Sequence, residues 1–212
     1  MSTILLTGFE PFGGATINPA AEVVFRLAAE MSDIFHIQPL ILPVDVVEAP
    51  QRLQAALVHN QPDWCVMLGL AEGRATLSIE RVAINLCDFP IPDNIGQTLV
   101  DQPIAIYGPD AYFATLPTRE LRDAALTAQV PTELSLTAGA YLCNCVMYTA
   151  LHVCATQQLP TRCGFIHVPA LPEQVLGQRK PHPTMALETM CTGVRTMLHV
   201  LARTPSLASV AH

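Results

Sequence analysis

Two periods alternate along this chain. Residues 3–7 form a short apolar run that stops at Gly8, the pattern of a buried strand. Residues 20–31 put Ala20, Val23, Val24, Leu27 and Ala28 at helical spacing. The alternation continues with a strand over 35–42 and a helix over 47–58 that turns Leu53, Ala56 and Leu57 inward. Residues 64–68, bounded by Pro62 and Gly69, predict a central buried strand. A strand over 78–86 follows, then a stretch from 89 to 110 rich in Pro, Gly, Asp and Asn that reads as a long loop. Thr118 opens a helix with Glu120 near its start and Leu121, Ala124 and Ala125 on one face. A short strand over 134–137 leads into an apolar helix through 146–154. Residues 162–168 are a strand stopped by Pro169, and 183–202 a long helix with proline in its first turn. Residues 204–212 read as a frayed tail.

Strands and helices in this order predict an α/β fold. We expect a single domain over residues 1–203, with a mostly parallel twisted sheet flanked by helices on both faces, an architecture shared by phosphorylases and hydrolases. In such sheets ligands bind beyond the carboxyl ends of the strands. With half of its 212 residues apolar and 14% charged, the chain can bury a sizeable core and is not a disordered polyelectrolyte. Its formal charge of -7 comes with 11 scattered Lys and Arg. No basic stripe is present, which argues against nucleic-acid or anionic-membrane partners. The apolar run Ile4-Leu5-Leu6 is too short for a signal peptide or a membrane span. Seven cysteines, an odd number without paired spacing, fit reduced thiols in the cytoplasm.

One of these thiols stands out. An Ala-Gly turn delivers Cys143 to the start of the apolar helix, where the helix dipole and unpaired N–H groups favour negative charge. Such placement can lower a thiol pKa from about 8.5 to roughly 3.5–7.5 and yield a nucleophilic thiolate. A small buried core residue is the bland alternative. Glu80 shares a strand face with Val82 and Ile84, and a carboxylate there needs a partner, either a nearby Arg or Lys or a catalytic group. His167 ends an apolar strand, where a histidine is ordinarily bonded to backbone. His36, His59, His152 and His199 have only helix or strand surroundings to recommend them, and His182 and His212 fall in loop and tail. Thiol, imidazole and carboxylate are the parts of a nucleophilic acyl-transfer site, in which the base must reach the thiol and the carboxylate must fix the base. Spacing alone does not bring the three together.

Glu80-Arg81-Val82-Ala83-Ile84-Asn85, the run from Ser135 to Asn144, and Phe165-Ile166-His167-Val168-Pro169 resemble the three active-site blocks of the type I pyroglutamyl peptidase family. The opening Thr7-Gly8-Phe9-Glu10-Pro11-Phe12-Gly13-Gly14 with Asn18-Pro19 is also similar. So are Ile91-Pro92-Asp93-Asn94, Tyr112 to Pro117, and Leu171-Pro172-Glu173-Gln174. The resemblance runs from Ile4 to about Ala202. It implies a cysteine exopeptidase that removes N-terminal pyroglutamyl residues through a thioester, without cofactor or metal. Cys143 would be the nucleophile, His167 the general base and then acid, and Glu80 the group that orients His167. Phe9 and Phe12 would pack on the lactam ring. Asn18 belongs to the same block, and backbone groups near Leu70, Tyr141 and Leu142 would meet the ring N–H and C=O. The implied partners are peptides with an N-terminal pyroglutamate, and the implied assembly is a homo-oligomer, dimer or tetramer.

Two positions depart from the family pattern. Pro90 stands where Arg commonly precedes Ile-Pro-Asp-Asn, and Glu72 stands where relatives often carry a small residue. The pair Cys143-x-Cys145 has no second Cys/His cluster to complete a metal site, which leaves Cys145 as core. The Gly8–Gly14 loop lacks the Gly-Lys-Ser/Thr ending and the spacing of a nucleotide fingerprint. The same architecture would also suit a nucleoside-phosphorylase-like transferase, or a relative that binds pyroglutamyl peptides without turning them over.

Overall fold

Pairing sorts the apolar runs by face. The computed structural model describes residues 2–204, and all but Thr204 of the tail expected over 204–212 lies outside the described residues. In chain order the elements are β1 (Thr3–Phe9), α1 (Pro19–Glu30), β2 (His36–Leu42), α2 (Glu48–Asn60), β3 (Trp64–Leu70), β4 (Leu77–Glu80), β5 (Val82–Ile84), β6 (Ala111–Phe113), α3 (Thr118–Thr127), β7 (Thr132–Ser135), α4 (Leu142–Thr156), β8 (Arg162–Val168) and α5 (Leu187–Arg203). A 3-10 turn occupies Pro172–Val175.

Six strands make one sheet in the order β2-β1-β3-β8-β4-β7. β2, β1, β3 and β8 run parallel, whereas β4 pairs antiparallel with β8 and parallel with β7. The result is the expected single-domain α/β fold with a mostly parallel sheet. Alternate residues of each strand enter different cores. Ile4, Leu6, Val66, Leu68, Ile79, Ile166 and Val168 join α1, α3 and α5 on one face. Leu5, Phe9, Cys65, Met67, Cys163 and Phe165 join α2 and α4 on the other. This period-two sorting is what makes the central strands read as unbroken apolar runs.

Local chemistry sets the element ends. Asn18 caps α1 by accepting from the Ala20 N–H at 3.0 Å, and Pro19 follows in the first turn. The strand expected over 78–86 divides at Arg81. That residue donates its N–H to Ser135 O in the main sheet and accepts from Ala114 N in the opposite direction, so the chain leaves the sheet there. β5 then pairs antiparallel with β6, a strand just after the long loop that pattern does not mark. The short strand expected over 134–137 sits two residues earlier, as β7. The last helix begins at Leu187 rather than 183. Pro181 and Pro183 hold the residues before them extended, and the Met185 N–H donates to Ala170 O in a strand-like contact.

Candidate active site

Three strand ends and one helix start converge on the α2/α4 face. Gly139, at a φ of +77°, makes the turn that leads into α4. Tyr141 is the N-cap residue and supplies no side-chain cap, so among the described residues the N–H groups of Leu142, Cys143 and Asn144 find no acceptor beyond the Cys143 sulfur itself. Cys143 is the second residue of this 15-residue helix and is half-buried. Asn144 fixes the helix start against β5. Its Oδ1 accepts from Ile84 N at 2.9 Å, and its Nδ2 donates to Ile84 O and Leu86 O, each at 2.9 Å.

The Cys143 sulfur lies over Gly69 of β3. A Cβ at Gly69 would come within 2.8 Å of Sγ and 2.6 Å of the Phe165 ring, so only glycine admits the thiol here. Gly69 is the register partner of His167 on β8. Partners in a parallel pair point to the same side, so imidazole and thiol occupy neighbouring positions on one sheet face. Glu80 comes from β4, which runs the other way. It lies opposite Phe165 and reaches diagonally along β8, so that its Oε1 meets His167 Nδ1 at 2.8 Å. β4 is an interior strand rather than an edge, and the Glu80 side chain has no solvent exposure.

These environments tune the three groups. Burial drives the Glu80 pKa upward, but the bond to His167, the nearby Ser135 hydroxyl, the imidazole charge and the bond from Arg74 outweigh it. The carboxyl ends below its ordinary value, as a carboxylate. Burial lowers the His167 pKa more than its bond to Glu80 raises it, and the Arg74 charge lowers it further. The imidazole is therefore neutral at pH 7. For Cys143 the expectation of a standing thiolate does not hold. Burial first, and the Glu80 charge second, push its pKa up to about 12 against the pull of Arg74 and its own backbone N–H. Burial dominates because the thiol sits between a helix and a packed sheet. Thiol and imidazole are thus both neutral, at neighbouring positions on the sheet face.

Beside the sulfur is a small apolar slot lined by Phe9, Phe12, Asn18, Val44, Leu70, Tyr141, Leu142 and Cys143. All six residues expected near the substrate line it. Asn18 does so with its amide held in place from two sides. Its Oδ1 caps α1, and its Nδ2 donates one N–H to Glu10 O at 3.0 Å, so the amide is fixed as part of the wall with its second Nδ2–H left over. Tyr141 packs edge-on against Phe89 at 4.6 Å and donates its hydroxyl to Pro92 O. Burial pushes its phenol up to about 12.

Pattern reading passed over the residues that hold the slot together. Buried Asp93 accepts from the N–H groups of Val46, Ile95 and Gln97. Glu10 Oε1 accepts from Val44 N and Asn94 Nδ2, and Gln174 donates to Ile17 O. Each falls in a block already singled out, but an acid that binds backbone leaves no periodic signature. Glu72 is exposed in a separate polar cleft with Glu173 and Gln178, and Pro90 is exposed. Among the described residues no group of His, Cys, Asp and Glu could hold a metal ion, and no helix is long and apolar enough to cross a membrane.

Known proteins share both the sequence and the fold. The family described as pyroglutamyl peptidase matches residues 2–204. A pyrrolidone-carboxylate peptidase of Thermococcus onnurineus is 46% identical over 187 residues, 88% of this chain and 92% of that protein. One from Vibrio vulnificus is 42% identical over 93% of this chain and 92% of its own. Among solved structures, pyroglutamyl peptidase I of Bacillus amyloliquefaciens superposes with a TM-score of 0.91 at 34% identity, covering 96% of this chain and 98% of that one. A mutant pyrrolidone carboxyl peptidase of Pyrococcus furiosus gives 0.90 at 39% identity over 93% and 97%. None of these relatives is a phosphorylase. Sequence, fold and the cysteine-centred site agree, and the chain belongs to the pyroglutamyl peptidase family of cysteine peptidases.

Proposed function

We propose that the chain hydrolyses N-terminal pyroglutamyl residues from peptides, with Cys143 as nucleophile, His167 as general base and then acid, and Glu80 as the residue that orients His167. The observation that carries this reading is the apolar slot ending at a thiol, with a buried Glu80–His167 pair one strand position away. Pyroglutamate has no ionised α-amino group, so Phe9, Phe12, Val44 and Leu70 can enclose its ring without burying an ion. The ring N–H and C=O take backbone partners along Leu70 and Tyr141-Leu142. Leaving these unpaired would cost an open-chain or hydrocarbon analogue heavily.

With thiol and imidazole both neutral, the proton passes from Cys143 Sγ to His167 Nε2 as sulfur attacks the carbonyl. Glu80, holding Nδ1–H, stabilises the imidazolium that forms. The N–H groups at the start of α4 receive the oxyanion, and the helix dipole favours its charge there. The imidazolium then protonates the departing amine. Water, deprotonated by the same imidazole, releases pyroglutamate from the thioester.

The reduced thiols and the family membership support a cytoplasmic setting. Exposed Ile106, Tyr107 and Phe113 around the β5–β6 ribbon support a homo-oligomer, dimer or tetramer. The test of function is release of chromophore from a pyroglutamyl anilide. Wild type should turn it over, Cys143→Ser should not, and prolyl and glutamyl anilides should be poor substrates. Equal turnover by Cys143→Ser would overturn the proposal.

A further inference from the structure

The loop between β3 and β4 sends one side chain back into the site. Arg74 Nη1 donates to Glu80 Oε1 at 2.7 Å, the same oxygen that meets His167 Nδ1 at 2.8 Å. Its Nη2 donates to Thr137 O at 3.1 Å, in the turn that leads into α4 and Cys143. One guanidinium thus joins the carboxylate to the backbone that carries the nucleophile. A planar fork makes both bonds at once, which a point-charge ammonium does less well.

Glu80 needs this help. Its side chain is wholly buried, and among the described residues its Oε2 has no hydrogen-bond partner, so half of the carboxylate has no direct compensation. Among the described residues, Arg74 is the one Lys or Arg within ion-pair distance of Glu80. The titratable and charged groups facing His167 are Glu80 from β4, Arg74 from the β3–β4 loop and Cys143 from α4. The apolar Phe165 ring packs beside the imidazole at 4.8 Å.

We propose that Arg74 is a positioning residue: by sharing Glu80 Oε1 with His167 and holding Thr137 O, it keeps the carboxylate ionised and its free rotation blocked, and it fixes the imidazole relative to the Cys143 turn. It touches neither substrate nor reacting atoms. Its charge also acts in the useful direction on both partners, disfavouring imidazolium and favouring thiolate.

This inference rests on the proposed function and is tested with two variants of the full chain. Arg74→Gln keeps hydrogen-bonding capacity without the charge, and Arg74→Lys keeps the charge without the fork. Both should melt within a few degrees of wild type. With a pyroglutamyl anilide, Arg74→Gln should lose about 10²-fold in kcat with KM nearly unchanged, the signature of disturbed positioning. Its acid limb of kcat/KM should move to higher pH, because a nearby positive charge no longer resists imidazole protonation. Arg74→Lys should recover the wild-type limb and most of the rate. The pH dependence of Cys143 alkylation by iodoacetamide should move in parallel and gives the same reading without substrate. An unmoved limb in Arg74→Gln, or Arg74→Lys no better than Arg74→Gln, would overturn the role. Wild type inert to the anilide would overturn the proposed function itself, and this inference with it.

Discussion

The two faces of the central sheet are built from the same strands and do different work. The face under α1, α3 and α5 is apolar from edge to edge: Leu6, Leu68, Ile79, Ile166, Leu198 and Val194 are all at or below 1% exposure. Fully burying each such side chain contributes about 1.5–3 kcal/mol. The face under α2 and α4 begins the same way, with Leu5, Met67 and Phe165, then carries Gly69 and His167 at its end, with Glu80 of β4 beside Phe165 and Cys143 of α4 above Gly69. There a carboxylate without exposure replaces a hydrocarbon, and a glycine replaces a packed side chain. The lesson is one of division: the proposed catalytic groups gather on a single face, and the opposite face supplies the stability that permits them.

The comparison breaks most sharply by removing the proposed nucleophile. Cys143→Ala should lower kcat by about 10⁴-fold or more while the melting temperature stays put or rises, since the site loses chemistry and no core packing. Glu80→Gln should cost about 10²–10⁴-fold in kcat by leaving His167 Nδ1–H without its ionised partner. On the opposite face Leu198→Ala should do the reverse, costing about 2–5 kcal/mol in denaturant melts with KM and kcat unchanged. Gly69→Ala lies on the border between the two roles. Its Cβ meets Phe165 and Cys143 at 2.6 and 2.8 Å, so it should lose about 1–3 kcal/mol and most activity together. Cys145→Ser is the smallest test. Cys145 is 1% exposed in the α4 core, and the variant should keep most activity at some loss of stability.

Acidification sharpens the same contrast. The folded pKa values of Glu80 and His167 are both depressed, so each contributes stability that is present above its unfolded value and lost as pH falls through its folded value. For His167 that window lies below 6.5, and for Glu80 below 4.5. Stability should therefore begin to decline below 6.5, activity should fall as pH reaches the lowered His167 value, and a further loss of stability should follow below 4.5 as Glu80 takes up its proton. Parallel pH series of anilide turnover and thermal melting check this order.

Much of this was legible from residues alone. The strands that carry Phe9, Leu70 and His167 are long apolar runs, and the helix behind Cys143 is apolar almost throughout, so their place in an α/β sheet followed from period and length. The blocks around Glu80, Cys143 and His167 pointed to one family before any contact was known. What pattern could not carry was direction and charge. Nothing in Leu77 to Glu80 says that β4 runs against β8, and this reversal is what lets Glu80 reach His167 from the neighbouring strand. The strand break at Arg81 depends on two long-range backbone bonds, to Ser135 and Ala114. The expected thiolate failed because a helix start is a local feature, whereas the desolvation of Cys143 comes from a sheet face assembled from distant segments. Arg74 sits in the loop after β3, where neither strand nor helix period applies and spacing gives no cue.

The central claim is that Cys143 Sγ forms a covalent acyl intermediate with substrate held in the Phe9–Phe12–Leu70 slot. Acid-quenched turnover of a pyroglutamyl ester, followed by intact-mass and peptide mapping, tests it directly. The account predicts one pyroglutamyl group on the peptide that contains Cys143, absent from Cys143→Ala. Turnover without that adduct in a variant whose deacylation is slowed, or the adduct on Cys145 instead, would contradict it.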